Sequence, residues 1–394
     1  MAFVRTHATK LQATFLFVAI FTLGFMVGNL QSITQAQGIG DTDQAFGVIQ
    51  ETYNLIKESY VDGEKVDVPS LVDGALKGMV ESLDDQFSAY QTPQQTEASA
   101  LELQGSVEGI GATVDTDEVT GNIYVVSLIR GAAAEAAGVL PGDIFWEVDG
   151  ESAVGITQND LVLLVRGPAG SEVTIVFKRG EELITFTMTR VRFDVPIVES
   201  EILEGDIAHV RLSQFTSNAR DLLRNELNNI EINSKKALIL DVRGNPGGLL
   251  SSVVDISSLF VEDGVILYEA FGDGTERTFD ANGDYLGITI PIVLLTDEGS
   301  ASASELLAGA LQDLEIATVI GETSFGKGTV QTVAPLSNGG SIRLTIARWL
   351  TPNRNWIHEL GITPDIVVAY DPVTDGVDVD PQLDAAIEYI NNLE

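Results

Sequence analysis

Apolar residues recur every three or four positions between residues 46 and 104, which is the spacing of amphipathic helices. Pro69 interrupts this pattern, and Ser70 directly after it is a typical N-cap for a second helix. We expect residues 38–104 to form a small helical segment that packs on a larger body.

Short β-rich runs separated by glycine turns replace the helical pattern between residues 105 and 193. Five or six short strands and two helices fit into this stretch of about 90 residues, a normal size for a small domain. We therefore expect residues 105–193 to form one compact β-rich module.

Strands and helices alternate from residue 194 onward. The apolar runs at residues 236–242 and 288–296 predict strands, and a turn and a helical pattern follow each of them. Strands joined by crossover helices predict an α/β fold, or α+β for the whole chain, with a partly parallel sheet. The last segment, residues 371–394, is acidic and closes with one helix.

An uncharged apolar run, residues 11–30, lies close to the amino terminus and follows Arg5 and Lys10. A helix of this length can span a bilayer, with the basic flank inside and the acidic body outside. We therefore expect residues 1–37 to anchor the chain in the cytoplasmic membrane. The alternative is a signal peptide cleaved at residues 34–36. Both alternatives place the body outside the cytoplasm.

The chain of 394 residues carries 58 acidic and 22 basic side chains, a net charge of −36, and no cysteine. Such a surface repels phosphate backbones, so nucleic acid is a poor partner. The absence of cysteine excludes a disulfide scaffold and a thiolate nucleophile. Any catalytic chemistry must therefore use other residue types.

Two strand-to-helix turns can carry such chemistry. Residues 241–248 contain successive glycines whose N–H groups can point into one concavity, although the same sequence suits an ordinary loop. In the second turn Ser302 lies three residues before Glu305, a capping-box spacing, so Ser302 or Ser300 could simply cap the helix. A helix N-terminus also favours a developing anion, which makes Ser302 a candidate nucleophile.

Lys327 lies between two glycines at the start of an apparent strand and is the candidate base. Burial lowers the pKa of a lysine, which can then deprotonate a serine. Gln331 lies on the same face and could hydrogen-bond the neutral amine. The alternatives are a solvated lysine and a polar residue at a strand edge. Histidine is a weaker candidate, because His7 is in the tail and neither His209 nor His358 follows a strand end.

The stretches "GSASASELLAGALQD", "GETSFGKGTVQ" and "LDVRGNPGGLL" closely resemble signature motifs of the carboxy-terminal processing peptidases, also called tail-specific proteases. Several long motifs occur in the family's order between residues 41 and 370. The resemblance implies a crotonase-like α/β catalytic core, an inserted PDZ domain and an N-terminal helical segment. Residues 105–193 would be the PDZ domain and residues 194–370 the peptidase core.

Position in these motifs implies the role of each catalytic residue. Ser302 resembles the family's nucleophile, Lys327 its base and Gln331 the residue that orients the lysine. Two backbone N–H groups would form the oxyanion hole, one from Ala303 and one from Gly247 or, less closely, Gly248.

The PDZ motif and two departures complete the resemblance. The N–H groups of Ile110, Gly111 and Ala112 would receive the terminal carboxylate of a peptide. Residues 83–86 and 358–361 differ from the family pattern, and both stretches are expected to be turns outside the Ser–Lys pair.

The resemblance and the apolar run at residues 11–30 together predict a membrane-anchored serine endopeptidase outside the cytoplasm. It would cleave unstructured or C-terminally tagged polypeptides whose exposed apolar C-termini bind the PDZ domain, without a metal or a cofactor. One alternative is a PDZ scaffold without catalysis, against which the complete Ser302, Lys327 and Gln331 set argues. The other is a crotonase-like acyl-CoA enzyme, which export and the acidic charge disfavour.

Overall fold

The structure is a computed structural model, and it describes residues 39–117, 120–129, 131–194, 196–370 and 379–393. The apolar run that predicts a membrane anchor lies outside these residues. Within the described ranges, no helix combines the length and the apolar character needed to cross a bilayer. The chain divides into two compact units, Met1–Ala75 and Leu76–Glu394.

The first elements confirm the predicted helices and correct one boundary. Asp67 rather than Ser70 caps the second helix, because its carboxylate accepts the Ser70 N–H at 3.0 Å and the helix already begins at Val68. The segment also contains a strand that the helical pattern did not predict. The elements are α1 (Ile39–Ser59), α2 (Val68–Glu81), strand β1 (Ala89–Gln91) and α3 (Pro93–Glu102).

The β-rich module is an antiparallel sheet in the order β3-β4-β5-β7-β8, with β6 paired to β5. Strands β2 and β9 pair where the chain enters and leaves the module. Its core contains Phe145, Ile175 and Phe177. Its strands are β2 (Ser106–Gly109), β3 (Ala112–Thr116), β4 (Ile123–Leu128), β5 (Ile144–Val148), β6 (Glu151–Ser152), β7 (Glu172–Arg179), β8 (Glu182–Thr189) and β9 (Val191–Asp194), and its helices are α4 (Ala133–Ala137) and α5 (Gln158–Val165).

The segment from residue 196 onward follows the predicted alternation of strands and helices. Its elements are β10 (Val198–Leu203), β11 (Ile207–Leu212), α6 (Ala219–Asn229), β12 (Ala237–Asp241), α7 (Leu250–Ser257), β13 (Val265–Phe271), β14 (Glu276–Asp280), β15 (Ile292–Thr296), α8 (Ala303–Asp313), β16 (Thr318–Gly321), β17 (Thr329–Pro335), β18 (Ser341–Leu350), β19 (Ile366–Val367) and α9 (Pro381–Asn391).

The central sheet has the order β10-β11-β12-β15-β16-β19, and all its pairs except β10–β11 are parallel. Every residue of β12 and β15 is buried, as expected of parallel strands covered on both faces. Leu238 and Leu240 pack toward α6, α7 and α8, whereas Ile239 packs toward α9. The acidic terminal segment thus contributes its helix to the core.

A second sheet has the order β1-β18-β13-β14, with β17 paired to β18. Strand β1 joins the end of the helical segment to this second sheet, because Tyr90 pairs with Ile342 of β18. The parallel neighbours β12 and β15 end side by side, so the two strand-to-helix turns of the sequence meet at one edge of the central sheet.

Candidate active site

The serine turn joins β15 to α8 and presents one of its three serines to a cavity. Ser300 donates its hydroxyl to the Val242 carbonyl oxygen at 2.9 Å, and Ser304 donates to that of Asn245 at 2.9 Å. Ser302 instead lines the cavity and has a φ of 54°, a strained value for a residue with a side chain. The fold therefore holds Ser302 in place through its neighbours.

The glycine turn after β12 packs directly against the serine turn. A Cβ on Gly247 would lie 2.8 Å from the Ala303 nitrogen, so only glycine fits there. The Gly247 N–H donates to Asn245 Oδ1 at 2.9 Å, so this group already has an acceptor, and its role in the oxyanion hole stays a prediction. Gly248 and Ala303 both line the cavity.

Lys327 lies between β16 and β17, and its backbone is held on both sides. Its N–H donates to Glu305 at 2.9 Å, and its carbonyl oxygen accepts the Trp349 indole N–H at 2.8 Å. The Nζ atom lies 5.2 Å from the centre of the Phe87 ring. Burial and then the positive charge of Arg343 lower the pKa of the Lys327 ammonium to about 8. These are the properties of a lysine that can act as a base.

Glu305 connects the serine turn to the segment that contains Lys327, and its role is larger than the sequence indicated. It is fully buried. Its Oε2 accepts the N–H groups of Ser302 at 2.8 Å and Lys327 at 2.9 Å. Its Oε1 accepts the Ser324 hydroxyl and the Gly326 N–H, both at 2.6 Å. The capping-box spacing indicated only the bond to Ser302, although a carboxylate at the start of an apolar helix was a further signal.

The turn at residues 83–86, which departs from the family pattern, leads directly into a neighbour of the predicted base, and the expectation that it lies outside the Ser–Lys pair stays a prediction. Phe87 follows residues 83–86 directly, and its ring covers Lys327. The Asp85 carboxylate accepts the Phe87 N–H at 3.0 Å and opposes the lowering of the Lys327 pKa. No pattern in the sequence indicated this contact.

A cavity of about 320 Å³ connects these groups. Ser302, Lys327 and Gln331 all line it, as the motifs predict. The Gln331 amide donates to the hydroxyls of Thr329 at 2.9 Å and Thr345 at 3.2 Å rather than to Lys327. The apolar part of the wall consists of Leu103, Leu249, Leu250, Leu306, Val330, Val333 and Trp349.

Comparison with known proteins agrees with this geometry. Residues 206–368 match peptidase family S41, residues 99–178 match the PDZ domain, and residues 22–95 match the N-terminal domain of the activating protease CtpB. The carboxy-terminal processing protease CtpA of Bacillus subtilis (strain 168) is 37% identical over 344 residues, 87% of this chain and 72% of the relative. The chain belongs to the carboxy-terminal processing proteases of family S41.

Two further relatives support the assignment of this S41 protease. CtpB of Bacillus subtilis (strain 168) is 37% identical over 339 residues, 84% of this chain and 70% of the relative. The solved structure of a photosystem II D1 C-terminal processing protease matches with a TM-score of 0.56 and 28% identity, over 86% of this chain and 90% of that chain. The predicted family, fold class and serine-type peptidase activity are confirmed.

The catalytic cavity of this protease has no histidine among its described lining residues. His209 Nδ1 lies 3.0 Å from Glu201, and its Nε2 lies 3.1 Å from Asp241. Burial opposes the charge on His209, but the hydrogen bonds to Asp241 and Glu201 outweigh it and raise the pKa of the imidazole. His358 stacks on Trp356 at 5.2 Å. The geometry thus gives no support to a Ser–His pair.

The PDZ domain of this protease contains a groove of about 300 Å³ between β3 and α5. Ile110, Gly111 and Ala112, the predicted carboxylate-binding residues, all line it, together with apolar side chains such as Leu161. Strand β3 is the edge of its sheet in the described part of the domain. A peptide strand could therefore add to β3.

Proposed function

We propose that this protease is an endopeptidase with Ser302 as the nucleophile and Lys327 as the general base. The observation that carries the proposal is that both residues line one cavity, in which the amine is buried over an aromatic ring. With a pKa of about 8, roughly a tenth of the amine is neutral at pH 7. A lysine with the ordinary pKa of 10.5 would be neutral in far fewer molecules.

In the proposed cycle, Ser302 Oγ attacks the carbonyl carbon of the scissile peptide bond while Lys327 Nζ accepts the hydroxyl proton. The tetrahedral intermediate collapses as the Lys327 ammonium gives that proton to the leaving amine, which leaves an ester on Ser302. Water then attacks the ester with Lys327 as base. The proton returns to Ser302 Oγ, and the product carboxylate leaves.

For the oxyanion hole we propose the N–H groups of Ala303 and Gly248. Both residues line the cavity beside Ser302, and Ala303 is the first residue of α8, where the helix dipole favours negative charge. Gly247 then has a different role, which is to let the two turns pack closely.

Gln331 is the proposed partner of the neutral amine. Its Nε2 donates to two threonine hydroxyls, which leaves the amide oxygen as the group that could accept a hydrogen bond from the Lys327 amine. Gln331→Glu would add a negative charge to the cavity, whereas Gln331→Ala would only remove the acceptor. We expect the first change to lower kcat/KM more at pH 7, because a carboxylate would stabilise the ammonium form of Lys327.

We further propose that the PDZ groove captures substrates by apolar C-terminal residues, with the terminal carboxylate at the N–H groups of Ile110, Gly111 and Ala112. The apolar lining of the groove supports this specificity. Binding of a peptide with a free carboxylate, and much weaker binding of its C-terminal amide, would support it. Equal affinity for the two peptides would contradict it.

The location of the protease is likewise a proposal. The apolar run at residues 11–30 supports an anchor in the cytoplasmic membrane with the catalytic core outside. Extraction of membranes with alkaline carbonate should leave the full chain in the pellet. Release of the intact chain by carbonate would contradict the anchor, and release of a shortened chain would support the cleaved signal peptide.

The decisive experiment incubates the full chain with an unfolded protein that ends in apolar residues. We expect Ser302→Ala and Lys327→Ala each to lower kcat/KM on the order of 1,000-fold or more. Lys327→Arg should be equally inactive, because a guanidinium keeps its proton. Lys235→Ala is the matched control, since that lysine pairs with Asp206 at 3.1 Å and does not line the cavity. Undiminished turnover by Lys327→Ala would refute the base.

A further inference from the structure

One charged side chain in the wall of the catalytic cavity has no role in the proposed cycle. Arg343 lies on β18 and lines the cavity together with Ser302 and Lys327. Its Nε donates to the carbonyl oxygen of Phe87 at 3.0 Å. Among the described residues, no carboxylate forms an ion pair with its guanidinium, although the protein has many more acidic than basic residues. The position of this positive charge in the wall of the cavity therefore requires a functional explanation.

The turn that contains Phe87 fixes this arginine relative to the base. The Asp85 carboxylate accepts the Phe87 N–H at 3.0 Å and the Ser88 hydroxyl at 2.6 Å. The Ser88 oxygen in turn accepts the N–H of Thr345, two residues after Arg343 on β18, at 3.0 Å. Arg343 and the Phe87 ring are therefore held in one rigid arrangement, and the ring lies 5.2 Å from Lys327 Nζ.

We propose that Phe87 and Arg343 together position the catalytic amine: the ring holds it in place, and the guanidinium sets a fixed positive charge beside it. This inference rests on the proposed role of Lys327 as base. An aromatic face attracts an ammonium group only weakly compared with a carboxylate. A contact of this kind can hold Lys327 in the cavity and still allow its proton to leave.

The other charges around Lys327 define what Arg343 must offset. Glu305 and Asp85 both favour the ammonium form, and His358 lies against the edge of the Phe87 ring at 5.9 Å between centroids. Burial and Arg343 act in the opposite direction, and burial has the larger effect. Arg343 is the one residue named here whose charge opposes the two carboxylates. A like charge beside a lysine is a known way to make its amine reactive.

The test measures kcat/KM against pH for wild type, Arg343→Gln and Arg343→Lys. In Arg343→Gln, which lacks the positive charge, the acidic limb of the kcat/KM profile should move to higher pH. We expect kcat/KM to fall on the order of tenfold at pH 7 and to recover above pH 9. Arg343→Lys should stay close to wild type. Arg348→Gln is the matched control, because Arg348 is on the same strand but is not among the described residues that line this cavity, and it stacks on Trp356 at 4.3 Å. An unmoved limb with a raised KM would overturn the proposal and make Arg343 a substrate-binding residue.

Substitutions of Phe87 test the ring separately. Phe87→Leu keeps an apolar cover but removes the aromatic face, so the amine should lose its proton at lower pH and the maximal kcat should fall because the amine is less well placed. Phe87→Tyr should restore both properties. If Leu and Tyr behave alike, the ring only fills space and its part of the proposal fails.

A direct titration separates this inference from the proposed function. The Lys327 amine can be followed by NMR in the inactive Ser302→Ala protein, with and without Arg343→Gln. An upward shift of its titration on loss of Arg343 supports the inference whether or not the amine is the base. If Lys327→Ala is inactive but the titration does not move, the inference alone fails. If Lys327→Ala remains active, the proposed function fails.

Discussion

Two fully buried carboxylates at the same edge of the central sheet have opposite kinds of partner. Asp241, at the end of β12, accepts from Arg243 Nη2 at 2.7 Å and lies 3.1 Å from His209 Nε2. In the described part of the chain, Glu305 accepts instead from three backbone N–H groups and one serine hydroxyl. One carboxylate is thus paired with cations and the other with neutral donors.

The difference shows how one fold can keep the Asp241 carboxylate charged and still lower the pKa of the Lys327 ammonium. Burial works against the ionised Asp241, but the hydrogen bonds from His209 and Arg243 outweigh it and hold the pKa of that carboxyl far below its usual range. Glu305 uses its oxygens to accept the backbone N–H groups of Ser302 and Lys327, and it influences the Lys327 ammonium only through the field of its charge. Burial therefore accompanies a carboxylate that stays ionised around Asp241 and an ammonium that loses its proton more easily around Glu305.

The largest expected effect comes from removing the charge of Asp241. Asp241→Asn should lower the free energy of unfolding by about 3–5 kcal/mol, because the buried Arg243 and His209 lose their main acceptor. Urea denaturation measures this. Asp380→Asn is the matched control: Asp380 also pairs with Arg243, but its side chain is 36% exposed and should matter by only about 1 kcal/mol. Equal losses of stability in Asp241→Asn and Asp380→Asn would contradict the idea that the buried carboxylate is the main partner of the cations.

Glu305→Gln should cost activity more than stability. An amide in this position turns an NH₂ group toward N–H donors, so the backbones of Ser302 and Lys327 lose their common anchor. We expect kcat/KM to fall on the order of 100-fold, about 2.7 kcal/mol, as for loss of one positioning contact in an active site. Glu322→Gln is the control, since Glu322 accepts from Gln382 at 3.1 Å outside the cavity. A loss below threefold would mean that Glu305 does not position the pair.

Lys327→Met should inactivate the enzyme and stabilise the fold. The pKa of Lys327 is about 8 in the folded protein and 10.5 in an unfolded chain. At pH 7 the folded wild type therefore carries a charged lysine, although burial disfavours the charge. The wild type should gain up to about 3 kcal/mol of stability from this group as pH rises from 8 through 10.5, because the unfolded state then binds more protons. The variant should therefore be the more stable protein at pH 7.

The pH dependence supplies the check on this prediction. Denaturation at pH 7 and pH 10.5 should show the advantage of Lys327→Met shrinking, because the folded wild type loses the Lys327 proton near pH 8 while the unfolded chain keeps it up to about pH 10.5. A constant difference at both values would mean that packing of the methionine, and not the charge of the lysine, causes the gain.

Local patterns in the sequence were enough to predict most of the elements, and they also selected Ser302 and Lys327 as the proposed reacting pair. Apolar runs identified β12 and β15, and the small residues around Ser302 and Lys327 identified the turns that line the cavity. Strand β1 was missed, because three residues carry too little periodicity and their pairing with β18 spans some 250 positions of the chain. Tertiary pairing, not local preference, makes these residues a strand.

Contacts between distant segments were the part that the sequence could not supply. Phe87 contacts Arg343 through its carbonyl oxygen and Lys327 through its ring only because β1 and the turn before it are fixed to β18. The bond from Gly247 to Asn245 is local, but it depends on the exact path of the turn, which residue types do not determine. Motif resemblance assigns roles to positions and does not say which N–H group is already engaged.

The smallest expected effect concerns His209, the histidine whose Nε2 lies 3.1 Å from Asp241. Its raised pKa means that its stabilising charge is fully present below about pH 6.5 and is lost as pH rises through the native value. In the Lys327→Met background, where the lysine no longer contributes, stability should therefore decline as pH rises from 6 toward 8. His209→Gln in that background should show no such decline. A decline of equal size in both proteins would assign the pH dependence to other groups and leave Arg243 as the cation that keeps Asp241 charged.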